Sequence, residues 1–118
     1  MTQNEMLAIP VTIKNGGTSS APIRPVDSGV FQYHVIAGII TPATVDATTI
    51  QIDYSLDGST WLSITDDAGN AETITQGANK FIWLSPIQYS CVAPYLRITA
   101  GGAVAADRTY KIVFREAK

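Results

Sequence analysis

The chain offers few side chains able to move a proton, hold a metal or attack a substrate, and their settings decide what each can do. His34 is the only histidine among 118 residues and lies beside the apolar pair Val35-Ile36. No motif places a serine or cysteine nucleophile for it, so it reads as a structural imidazole and not as a general base. Cys91 is the only cysteine, which excludes an internal disulfide and a multi-cysteine metal site. Its neighbours Val92 and Ala93 suit a small buried hydrophobe, and no basic residue adjoins it to favour a thiolate. Asp66, Asp67, Asn70 and Glu72 gather the oxygen donors that a hard cation takes, but not at EF-hand spacing. Asp, Asn and Gly also make turns, so this stretch reads as a solvated loop. Its adjacent carboxylates do not establish the pair across a groove that glycoside hydrolysis needs. Gly16-Gly17 is followed by Thr-Ser-Ser and lacks the lysine of a phosphate loop. No nucleophile, base and orienting group can be named together. The expectation is a non-enzyme with no cofactor and no bound metal, acting by binding or assembly.

The aromatic residues allow one further chemistry. Trp61 and Trp83, with Tyr33, Tyr54, Tyr89, Tyr95 and Tyr110, could stack on sugar rings, yet most alternate with Ile and Leu in the manner of core residues. Composition narrows the partners. Hydrophobic residues make up 46% of the chain and charged residues 15%, against roughly 25% charged in an average soluble domain. So little charge implies that part of the surface is covered by another protein. The net charge is −2 and the eight basic residues are scattered, which excludes the basic stripe a nucleic acid would require. No apolar stretch approaches the roughly 20 residues that span a bilayer. Met1 to Glu5 is polar and acidic where a secretory signal would be basic and then apolar, which predicts a chain made and kept in a cytoplasm.

The elements that must position these residues are strands. Apolar spacing at i, i+3, i+4 and i+7 is sustained nowhere, while Thr, Val and Ile are abundant. Ile50, Ile52, Tyr54 and Leu56 alternate with Gln51, Asp53 and Ser55, then Asp57-Gly58-Ser59 intervenes before Trp61, which predicts a strand, a tight turn and a second strand. Trp61 is expected to pack beneath that turn. Leu96 and Ile98 alternate with Tyr95, Arg97 and Thr99. Tyr110, Ile112 and Phe114 share one face of a last strand, with Lys111, Val113 and Arg115 opposite, and this strand is expected at an outer position. Phe81 to Leu84 is apolar on both faces, so it should be central or covered by a partner. Phe31 to Ile36 reads as another strand, and Met6 to Ile13, interrupted by Pro10, as an edge strand. Seven or eight short strands without helices predict one all-β domain, a β-sandwich of jelly-roll or Greek-key type. Residues 1–20 would form an extended arm and first edge strand, and residues 21–118 the body.

The run Tyr54-Ser55-Leu56-Asp57-Gly58-Ser59-Thr60-Trp61, followed by Pro94-Tyr95-Leu96-Arg97-Ile98, resembles two groups of β-sandwich. One is the discoidin-like jelly roll. The other is a set of small tailed-phage virion proteins that includes capsid decoration, or cement, proteins. The resemblance covers residues 50 to 98 and implies structural roles for Asp57, Gly58, Trp61, Tyr95 and Arg97. The short length, the single cysteine and the high Thr, Ala, Gly and Val content are closer to the phage proteins. That likeness implies a bacteriophage structural protein on the outer capsid surface of the virion, made in the host cytoplasm and bridging major capsid protein subunits. The apolar faces of Lys80 to Leu84 and the low charge fraction add the expectation of self-association, as a trimer before a dimer, with Phe81, Trp83, Met6, Leu7 and Ile9 as interface residues. The alternative is a carbohydrate-binding, discoidin-like adhesin module.

Overall fold

The computed structural model describes residues 6–30, 34–65, 68–84 and 93–116. The fold is all-β, a sandwich of two antiparallel sheets. Its strands are β1 (Met6–Ile13), β2 (His34–Ile40), β3 (Thr49–Ser55), β4 (Leu62–Ser63), β5 (Ile74–Thr75), β6 (Phe81–Trp83), β7 (Tyr95–Ala100) and β8 (Arg108–Glu116). One sheet runs β1-β8-β2-β6. In the other, β3 pairs with β7 on one side and with β4 and β5 on the other. Residues 18–23 extend this sheet beyond β7 through the bridges Ser19↔Thr99 and Ile23↔Leu96. Counting that segment, the chain passes from sheet to sheet at nearly every connection, the wrapped order of a jelly roll.

The core follows from period-2 alternation. Ile9, Val11 and Ile13 of β1, Ile36 and Ile39 of β2 and Tyr110, Ile112 and Phe114 of β8 meet Ile50 and Ile52 of β3 and Leu96 and Ile98 of β7 in one buried cluster. Tyr110 satisfies its hydroxyl by donating to Gln76 Oε1 at 2.8 Å. Burial pushes that phenol above its ordinary value. One end of the sandwich is closed by a two-point ion pair from Arg108 to Asp46, at 2.7 and 3.1 Å. The Arg108 hydrogen bond lowers the carboxyl of Asp46.

Several expectations change. The last strand is not outer: β8 lies between β1 and β2, and Val113, on its supposedly polar face, is buried at 2% exposure. The β6 strand is an edge, so of the two readings of Phe81 to Leu84, central or covered by a partner, the central one falls. Residues 6–17 are no free arm. All of β1 pairs with β8, and the turn after it is tied down by Gly16 N–H to Val104 O at 2.8 Å and Val104 N–H to Gly17 O at 3.0 Å. Pro10 does sit on an edge strand, facing Lys111. The expectations for Met1 to Glu5, Phe31 to Tyr33, Asp66, Asp67, Tyr89 and Cys91 lie outside the described residues.

Candidate functional site

Among the described residues, the side chains singled out above divide between the core, the connecting loops and the two outward faces of the sandwich. On the outer face of the β3–β7 sheet, alternation turns Gln51, Asp53 and Ser55 of β3 and Tyr95, Arg97 and Thr99 of β7 away from the core. These polar groups are tied to one another. Asp53 is 4% exposed. It accepts from Thr99 Oγ1 at 2.6 Å and Arg97 Nε at 3.1 Å on one carboxylate oxygen, and from Gln51 Nε2 at 2.8 Å on the other. Gln51 Nε2 also donates to Ser63 Oγ at 2.9 Å. The Arg97 guanidinium lies 4.5 Å from the centre of the Trp61 ring, and that of Arg24 lies 5.7 Å from the ring of Tyr95, both within cation–π range.

The turn between β3 and β4 is built by its own side chains. Gly58 has φ of 84°, a left-handed conformation that glycine adopts without penalty. Asp57 accepts from the backbone N–H groups of Thr60 and Ser59, each at 2.8 Å, and from the Ser55 hydroxyl at 3.0 Å. These donors, Thr60 and Ser59 foremost, hold the Asp57 carboxyl down at about 2. The ring against the turn belongs to Tyr95, whose atoms stand 3.4–3.5 Å from where a Gly58 Cβ would be. Trp61 is half-buried and lies over Arg97. The ring that closes on Gly58 is thus Tyr95's, while Trp61, at the end of the β3–β4 connection, stacks on Arg97 of β7.

The outer face of the other sheet differs. Strand pairing sets Ala8, Val113, Gly38 and Trp83 in one row, and Pro10, Lys111, Ile40 and Phe81 in the next. The β2 strand carries a bulge between Ile36 and Gly38, which lets both its faces stay apolar. Gly38 is needed for close approach: a Cβ there would stand 2.5 Å from Ile82 O and 2.6 Å from Phe81 Cε1. The Phe81 ring therefore lies over bare backbone, and its centroid is 4.7 Å from that of Trp83. Thr41 fixes the start of β6. Its Oγ1 donates to Gly77 O at 2.6 Å and accepts from Lys80 N–H at 2.8 Å. Thus the aromatic pair stands on a pinned edge, with Phe81 40% and Trp83 65% exposed.

Of the expected interface residues, Phe81, Trp83 and Met6 do lie on this outer face. Ile9 does not: it is paired with Ile112 and buried in the core. Leu7, opposite Phe114, also turns inward and packs partly buried against the core. One step of the β pleat separates Met6 from Leu7. Gly38, Thr41 and Asp53 were not singled out from the sequence. An isolated glycine in the run His34 to Ile40 is the signal that could have found the first, since it marks a bulge or a close approach.

His34 is buried at the start of β2. Among the described residues no three His, Cys, Asp or Glu side chains gather as metal ligands, and no buried side-chain nitrogen or oxygen lacks a partner. No protein-family model matches this chain, and no curated protein matches it.

Proposed function

We propose that this chain is a structural assembly module, a decoration or cement protein that binds the outside of a tailed-phage head and bridges major capsid subunits. The observation that carries the reading is the exposed Phe81–Trp83 pair on the pinned β6 edge, on an apolar outer face. Covering the 65% of Trp83 that is exposed would remove on the order of 150 Å² from water, a gross gain of about 4 kcal/mol before ordering costs. Repetition over a shell would turn such modest contacts into strong retention. The chain's low charge fraction, 15%, supports the same reading.

The test is co-sedimentation of purified protein with empty shells assembled from the major capsid protein of the same genome. Retention of the wild type and loss with Trp83→Ala is the expected result; a chain that stays in the supernatant sinks the proposal. The exposure of Trp83 also favours a second reading, a carbohydrate-binding adhesin module. The 39° angle between the two rings makes a poor flat platform for one sugar, which places this reading second. A tryptophan fluorescence titration with sugars separates them.

A further inference from the structure

Among the described residues, the outward positions of the β1-β8-β2-β6 sheet carry cations and no carboxylate. Lys111 stands between Pro10 and Ile40, and Arg115 pairs in register with Met6 and Val35. Lys80 sits at the foot of β6. The four ion pairs among the described residues, Lys14–Asp107, Arg24–Asp27, Arg97–Asp53 and Arg108–Asp46, use none of these cations. Arg115 donates from Nη1 to the carbonyl of Glu116, at 3.2 Å. Val35 and Val113 of these outward rows are already buried, at 7% and 2% exposure, and the surface left exposed around Phe81, Trp83 and Lys111 is apolar and positive, on a chain whose net charge is −2.

We infer that this face docks a partner of different sequence whose apolar surface carries carboxylates, and that it does not pair with a second copy of the chain. Two copies meeting through this face would set Lys111 and Arg115 against their own kind with no carboxylate to answer them. Like charges brought together at an interface are a strong selector against the wrong partner. An acidic apolar surface instead gives Lys111, on the inner strand β8, a counter-charge and covers Phe81 and Trp83 on the β6 edge beside it. Pro10 adds to the choice, because a proline on the free edge of β1 blocks a second copy from extending the sheet there. The inference rests on the assembly reading and gives that partner its chemistry.

The experiment uses two chromatographic surfaces, one bearing benzyl groups with carboxylates and one bearing benzyl groups with quaternary amines, at pH 7. Net charge alone would send this protein to the amine surface. The expected result is longer retention on the carboxylate surface, shortened by salt. Lys111→Glu should reverse the preference, with a change of about fivefold in the retention ratio. Arg24→Glu, which alters net charge equally but on the opposite sheet, should leave the preference in place. Trp83→Ala should shorten retention on both surfaces. Equal effects of Lys111→Glu and Arg24→Glu would overturn the inference, as would a self-associated species by sedimentation that Trp83→Ala dissolves. Shell binding insensitive to Lys111→Glu and Trp83→Ala would refute this face while sparing the cement reading. A carboxylate preference without shell binding would do the reverse.

Discussion

On the outer face of the β3–β7 sheet, polar side chains are answered from within: Asp53 by Arg97, Thr99 and Gln51, Arg97 also by Trp61, and Asp57 by Ser55, Ser59 and Thr60. On the outer face of the opposite sheet, two aromatic rings stand in solvent and Lys111 makes no ion pair among the described residues. Buried polar groups are costly unless partnered, so the first face had to close on itself to exist. The exposed Phe81 and Trp83 rings and Lys111 carry no such requirement and stay available to another surface. The same residue types, Trp and Arg or Lys, thus stabilise the fold on one side and stand open on the other.

The comparison breaks first at Asp53. Asp53→Ala removes the acceptor shared by Arg97, Thr99 and Gln51. The expected cost is roughly 2–4 kcal/mol in a denaturant melt, below the full penalty of a buried broken pair because water reaches the Arg97 side chain, which is 26% exposed. The double variant Asp53→Ala/Arg97→Ala should cost less than the sum of the single ones. Gly38→Ala comes next, at roughly 1–3 kcal/mol, since its Cβ meets the Ile82 carbonyl, which is backbone and cannot swing away. That variant should also move the emission of Trp83, because β6 must shift. Trp61→Ala should cost about 1–2 kcal/mol, the worth of a partly buried ring stacked on a guanidinium. A loss of 3 kcal/mol or more would mean that Trp61 is a core residue after all.

Much of this contrast was legible in the chain, and the illegible part has a physical cause. Ile50/Ile52, Leu96/Ile98 and Tyr110/Ile112/Phe114 announce their faces because alternation is local. The central place of β8 is not local, as it depends on pairing with β1 about a hundred residues away. Asp53 looked like any outward polar residue of an alternating strand. Its burial depends on Arg97 and Thr99, more than forty residues later. The assignment of Leu7 and Ile9 to the surface failed on parity alone, since nothing in Met6 to Ile9 says which of two apolar alternations faces in.

The closed face also has a pH signature. In the folded chain the Asp57 carboxyl titrates at about 2, against an ordinary 3.8. A depressed folded value means that the carboxylate form stabilises the fold; this contribution is complete above the unfolded value and disappears as pH falls from about 4 to about 2. The melting difference between wild type and Asp57→Asn should therefore be steady at neutral pH and close over that acid window. A gap unchanged from pH 7 to pH 2 would show that the turn's donors do not need the charge.

The smallest expected effect lies on the open face. Trp83 is 65% exposed, so most of its surface gains nothing from folding and Trp83→Ala should change stability by no more than about 0.5 kcal/mol. What it shares with the folded chain is its contact with Phe81 at 4.7 Å, and a largely solvated ring pair adds little. Few other reasons exist to keep an indole there, because an exposed tryptophan on a short sheet edge invites unwanted pairing. A melt unchanged by the substitution, together with higher solubility at millimolar concentration, would place the value of Trp83 outside the isolated chain. A loss above about 2 kcal/mol would instead make the ring part of the fold and erase the difference between the two faces.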